Sequence, residues 1–400
     1  MGDVPSTPGG QELDARGKVV CPGLIDVHVH LREPGFEHKE TIASGTRAAV
    51  TGGFTTICAM PNTRPVIDRP DRVRDLLARA EGAACCVLPI GAATIDHQNE
   101  ELTEFAALKA VGCVAITDDA FPLQRMDQMV EALMRAGGAD LPFIAHCELK
   151  GLSRDGVVDG SAGEWVAAPT PGTLAESAAV RLWLAAYERA AARAKRPPRL
   201  HIAHVSARTT VMALRAAGRV SAETAPHYFS LTSGAVAGFG ADAKMNPPLR
   251  SAADVSAIRA ALAEGLIGII ATDHAPHSVE EKAAGLANAP FGIVGLETAL
   301  AVAITDLVRP GLVSLREVVA AMTCRPAEML GLPGGRLVVG APGDVTVLDP
   351  EEEWTVDPSR FRTKGRACPW AGRRLWGRAY AAFVGGDLRM LQGECVSSIS

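Results

Sequence analysis

Val19-Val-Cys-Pro-Gly-Leu-Ile-Asp26-Val-His28-Val-His30 is a β-branched, apolar run that ends in two histidines one residue apart. Such a run favours extended chain, and alternate residues of a strand share a face. Both imidazoles can therefore face out of the same end of one strand. The pattern recurs further on. Ala115-Ile-Thr117 leads into Asp118-Asp119, Phe143-Ile-Ala145 into His146, Ile202-Ala203 into His204, and Ile269-Ile-Ala-Thr272 into Asp273. Core histidines would not fall repeatedly at the carboxyl ends of apolar strands.

Around these endings, short apolar segments alternate with amphipathic ones. Strands are expected at Val19–His28, Thr55–Met60, Cys85–Pro89, Cys113–Thr117, Pro142–His146, Leu200–His204, Val220–Thr224 and Ile267–Thr272. Helical stretches include Thr41–Thr51, Pro70–Glu81, Glu100–Ala110, Met126–Ala136, Ala175–Ala194, Thr209–Ala217 and Ala252–Leu262. Eight strands interleaved with helices predict an α/β fold, a (β/α)8 TIM barrel; an open doubly wound sheet is the alternative that this rhythm allows. From Arg336 to Asp349 the chain instead alternates apolar and polar residues between Gly and Pro, which reads as short antiparallel strands. The expected organisation is an N-terminal segment over 1–20, a metal-dependent barrel over 21–336, and a small accessory β domain built from the chain ends, with 337–400 as its C-terminal part.

Composition narrows the function classes. The 400 residues are 48% apolar and 21% charged, which suits a large globular core. The net charge of −5 is spread along the chain, so no nucleic-acid partner is expected. No apolar run reaches the roughly 18 residues of a membrane span, and Met1–Gln11 lacks a signal core. Nine scattered cysteines without a CxxC pair read as reduced thiols of a cytoplasmic protein.

Barrel enzymes place their chemistry at the carboxyl ends of the strands, and imidazole with carboxylate is a zinc donor set. His28, His30 and Asp273 can hold one ion, and His146 and His204 a second. Asp119 or Asp118 would bridge them. Paired ions can share a water and lower its pKa toward neutrality, with Asp273 placed to shuttle the proton. Arg32 can grip a carboxylate bidentately. Asn62, Asn246 and His277 add donors for a small acidic substrate. His201, His227, His38 and His97 read as structural or surface residues.

Asp26-Val-His-Val-His-Leu-Arg-Glu-Pro-Gly35 and Thr272-Asp-His-Ala-Pro-His277 resemble the signatures of the dihydroorotases within the amidohydrolase superfamily. Gly52–Thr56, Met60–Thr63, Lys244–Arg250 and Ala289–Glu297 extend the likeness, which is to the bacterial long-chain type that associates with aspartate transcarbamoylase. The resemblance implies reversible cyclisation of N-carbamoyl-L-aspartate to L-dihydroorotate in pyrimidine (UMP) biosynthesis. It implies one or two zinc ions held by His28, His30, Asp119, His146, His204 and Asp273. Asp119 rather than Asp118 fits the family's 27-residue interval to His146. Asp273 would be the general acid/base toward a metal-bound hydroxide. Arg32, Asn62 and His277 would meet the substrate carboxylate, Asn246 and the Phe291-Gly292 backbone the ring, and His30 would also touch substrate. A homo-oligomer and a transcarbamoylase complex are the expected partners.

Three features depart from the family pattern. The chain begins later before the HxH pair, Gly156–Glu176 lacks an Arg/Gly/Leu-rich pattern, and Ala120 stands where glycine is usual. Two rival readings remain. One is a non-catalytic dihydroorotase-like subunit that supports transcarbamoylase, against which all six ligand candidates are present. The other is a hydantoinase or allantoinase, which would carry a bridging lysine that Gly112–Asp119 lacks.

Overall fold

The computed structural model describes residues 12–153, 173–217 and 220–396. Eight parallel strands run in sequence order: β2 (Leu24–Val29), β3 (Phe54–Ala59), β4 (Cys86–Ala92), β5 (Ala115–Thr117), β6 (Pro142–Ala145), β7 (Arg199–Ile202), β8 (Ser221–Thr224) and β9 (Ile269–Ile270). The ring is nearly closed. Between β9 and β2 the contact is made at the rim, where His30 N donates to His274 O at 2.8 Å and Thr272 N to Asp26 Oδ1 at 3.1 Å. This is the (β/α)8 barrel that the strand–helix rhythm predicts.

One expected strand is two. Val19–Pro22 forms β1, which leaves the barrel and pairs antiparallel with β10 (Val345–Thr355). The break falls at Gly23, whose N–H donates to Asp344 O at 2.9 Å. A Cβ there would come within 2.0 Å of Thr55, so only glycine lets the chain cross β3 this closely. A five-stranded sheet follows in the order β1–β10–β11 (Arg374–Val384)–β12 (Asp387–Leu391)–β13 (Glu394–Cys395). The alternating run after Arg336 becomes strand only from Val345; Leu337–Val339 before it are exposed and non-strand.

Two apolar clusters hold the barrel. The larger lies between strands and helices, and includes Leu24, Phe54, Ile57, Phe143, Trp183 and Ile202. A smaller one fills the inside with Ile25, Val27, Cys58, Met60, Ile90, Ala115, Ile144, Ala203, Ile269 and Ala271. Ala327 and Leu330 of the helix Cys324–Leu330 close it from below. Side chains thus plug the barrel, and the open end is left for polar strand termini. Among the described residues no helix is long and apolar enough to cross a membrane. The stretch 154–172, most of the loop with the unexpected composition, lies outside the described residues.

Candidate metal centre at the barrel mouth

Every strand ending flagged by the sequence delivers its side chain to one buried cluster. His28 and His30 leave the end of β2, Asp119 follows β5, His146 follows β6, His204 follows β7 and Asp273 follows β9. The Asp119 carboxylate lies 3.5 Å from His28 Nε2, 3.5 Å from His30 Nε2, 3.3 Å from His146 Nδ1 and 3.6 Å from His204 Nε2. Asp273 Oδ1 lies 3.5 Å from both His28 Nε2 and His30 Nε2. Two overlapping triads, His28–His30–Asp273 and His28–Asp119–His204, each bring their donor atoms within 4.8 Å of one another. Asp118 turns away and accepts from the backbone N–H groups of His146 (2.8 Å) and Leu123 (2.8 Å).

This donor set fits a metal. His28 is 0% exposed and its Nε2 has no hydrogen-bond partner, although it faces two carboxylates. A buried polar atom left this way is costly, and a cation between the groups removes the cost. The electrostatics agree. Burial would lower the His28 pKa, but the charges of Asp119 and Asp273 push it well above the usual imidazole range. Burial would raise Asp119, yet His28, His146 and His204 hold it far below the carboxylate range. Asp273 is likewise depressed against burial, by His28, His30 and His204. Anions that remain ionised here demand positive charge; without a metal it has to come from protonated imidazoles, and a divalent ion would take their place.

Backbone strain marks the same residues. Arg32, His204 and Asp273 have φ of 64°, 34° and 48°, in the left-handed region that non-glycine residues avoid. Ala120 joins them at 63°, a backbone conformation that glycine would adopt without strain. The turn at His204 also sets it apart from His201, which stays outside the cluster as a structural residue. On a continuous strand three residues would point the two imidazoles apart; here β7 stops at Ile202 and the backbone then turns. His201 lies inside the barrel, 3.0 Å from Glu223 Oε2, and Glu223 Oε1 accepts from His28 Nδ1 at 2.9 Å. Burial would raise the Glu223 pKa, but bonds from His201 and His28 hold it at about 2.

The substrate-binding candidates gather beside the cluster. Arg32 Nε donates to Pro276 O at 3.2 Å, and its Nη2 lies 3.2 Å from His277 Nε2. His277 Nε2 is 2.8 Å from Phe291 O and takes the donor role there, leaving Nδ1 to accept from Lys39 Nζ at 3.3 Å. Burial and the cations Arg32 and Lys39 push the His277 pKa down, keeping the ring neutral. Lys39 is a second cation that no motif announced. Asn62 Oδ1 is paired with His30 Nδ1 at 2.8 Å, so Nδ2 is its remaining donor end. Asn246 Nδ2 donates to Glu148 Oε2 at 3.0 Å, and the same oxygen lies 3.2 Å from His146 Nε2. Gly292, at φ 138°, packs where a Cβ would meet Ala275 O at 2.4 Å, and its N–H donates to Lys244 O. His227 is buried with both ring nitrogens unpartnered, and burial pushes its pKa to about 4. His274, within the Thr272–His277 signature, reaches Glu40 Oε2 at 3.4 Å and accepts from Gly295 N at 3.1 Å, tying the end of β9 to the neighbouring segments.

The fold and donor set define a metal-dependent barrel of the amidohydrolase kind, and the amidohydrolase family model matches residues 104–375. Solved structures share the architecture. L-hydantoinase (dihydropyrimidinase) from Arthrobacter aurescens superposes with a TM-score of 0.86 at 25% identity, covering 96% of this chain and 88% of its own. D-hydantoinase (dihydropyrimidinase) from a Thermus species gives 0.84 at 23%, covering 99% and 90%. The dihydro-orotase-like model matches residues 17–167. Dihydroorotase from Pelotomaculum thermopropionicum is 46% identical over 391 residues, 96% of this chain and 90% of the relative. The Bacillus caldolyticus enzyme is 44% identical over 388 residues, 96% and 90%. The chain belongs to the dihydroorotase family and is a cyclic amidohydrolase.

Proposed function

We propose that the chain interconverts N-carbamoyl-L-aspartate and L-dihydroorotate with zinc as its metal, held by His28, His30, Asp119, His146, His204 and Asp273. Bound zinc would polarise the carbonyl under attack and lower the pKa of a water molecule. Arg32, with Lys39 and neutral His277 behind it, grips the substrate α-carboxylate, and Asn62 donates to it through Nδ2. His30 lines the same face. Asn246 and the backbone at Phe291 and Gly292 border the ring. In ring opening, Asp273 takes a proton from the attacking water and delivers it to the ring nitrogen as the C–N bond breaks. In ring closure, Asp273 takes the proton from the ureido nitrogen as it attacks the side-chain carboxyl carbon, and one carboxyl oxygen leaves as water, carrying that proton and a second one taken up from solvent.

The observation that carries this reading is the adjacency of a cationic carboxylate grip to a His/Asp cluster. Arg32 lies two residues beyond His30 and bonds Pro276, three residues beyond Asp273. A neutral hydantoin lacks the carboxylate with which this cation could form a charge-assisted pair. The test is zinc per chain alongside turnover of dihydroorotate in both directions. Activity that disappears on chelation and returns with zinc supports the reading; undiminished turnover by metal-stripped protein overturns it. Homo-oligomerisation, a complex with aspartate transcarbamoylase and a cytoplasmic setting belong to the same proposal. The nine cysteines, all free, support the last of these. Sedimentation with and without transcarbamoylase reads the assembly.

A further inference from the structure

We propose that Glu223, held in turn by His201, is a positioning residue that fixes His28 as an Nε2 metal ligand. The inference rests on the metal reading above. Neither residue belongs to the expected ligand set.

Glu223 sits in the middle of β8, inside the barrel, at 1% exposure. A carboxylate so placed must be fully partnered. Its two oxygens are used in opposite directions. Oε1 meets His28 Nδ1 at 2.9 Å, and Oε2 meets His201 Nε2 at 3.0 Å. His201 Nδ1 is itself fixed, 2.8 Å from Ser221 Oγ. The chain Ser221–His201–Glu223–His28 therefore runs from the exposed start of β8 into the barrel and ends on the imidazole whose other nitrogen lacks a partner. A carboxylate on Nδ1 keeps the proton there. The Nε2 lone pair is then free and aimed between Asp119 and Asp273. An ionised partner also makes the imidazole a stronger donor, and loss of such a group typically weakens metal binding 10- to 100-fold.

The other histidines of the cluster are held differently. His30 is backed by the neutral amide of Asn62. His146 presents Nδ1 to the cluster and rests Nε2 on Glu148, a carboxylate shared with Lys150 and Asn246. Only His28 belongs to both triads. Orienting it therefore sets the geometry of both at once.

The experiment is the zinc dissociation constant of metal-stripped protein, measured by competition with a chromophoric chelator, for wild type and Glu223→Gln. Glutamine keeps the size and one acceptor and removes the charge. We expect zinc affinity to fall about 10- to 100-fold, with the thermal midpoint of the metal-free protein close to wild type. Wild-type affinity in Glu223→Gln overturns the proposal, whatever happens to thermal stability, because a merely structural carboxylate would move stability alone. A wild-type protein that takes up no zinc instead defeats the metal reading itself. If Glu223→Gln does not fold, the zinc-loaded wild type labelled with 15N-histidine gives the answer. Protonation of His28 at Nδ1, with slow exchange, supports the proposal, and ligation through Nδ1 overturns it.

Discussion

At the barrel mouth, His28, His30, Asp119, His146, His204 and Asp273 are all buried within a few ångströms of one another, and two of them sit at positive φ. In the five-stranded sheet the buried apolar side chains include Cys21, Val347, Leu348, Leu375, Ala379, Ala381, Ala382 and Met390, along antiparallel ladders interrupted by bulges. The mouth concentrates like charges, strained backbone and unpartnered atoms. The sheet joins residue 19 to residue 348 and pairs its backbone groups. Poised chemistry and stability are thus placed in different regions, and the sheet is where stability can be altered without touching the reaction.

The largest expected effect separates the two regions outright. Asp273→Asn keeps the side-chain shape but cannot accept a proton, so kcat should fall by roughly 10²- to 10⁴-fold while zinc content stays near wild type. Rates close to wild type would remove Asp273 from proton transfer. In the sheet, Leu348→Ala opens a cavity at a 0% exposed site. Denaturant unfolding should show a loss of about 2–5 kcal/mol, with kcat of the folded fraction unchanged. A fall in kcat would mean that the two regions are coupled. Back at the mouth, Arg32→Met should raise KM about 10- to 100-fold, the worth of a charge-assisted bond to the substrate carboxylate, with little change in zinc content. An unchanged KM would release Arg32 from that role. The smallest effect concerns strain itself. Ala120→Gly should stabilise the fold by up to about 1 kcal/mol, because relief at φ 63° exceeds the extra chain entropy of glycine. A lower melting temperature would show that the turn after Asp119 is not strained.

Motif and spacing pointed to the metal-ligand and substrate-grip candidates because most of them lie at or just past the end of an apolar strand. The strand pattern is local, and the barrel puts all carboxyl ends on one rim. The residues that were missed carry no such signature. Glu223 is one acidic residue inside a four-residue strand, and Lys39 is one lysine in a loop. His201, read as structural, is buried and paired with Glu223, but nothing local announced that partner.

The sequence by itself determined the eightfold rhythm, the rim on which the reactive residues fall and the family to which they belong, since periodicity and strand endings are properties of neighbouring residues. Only the tertiary structure decided that Val19–Pro22 leaves the barrel at Gly23, that Asp118 is held by the backbone N–H groups of Leu123 and His146, and that Glu223 and His201 stand behind His28. Each of these depends on contact between segments tens to hundreds of residues apart, where a close backbone approach or a single hydrogen bond settles which way a side chain faces.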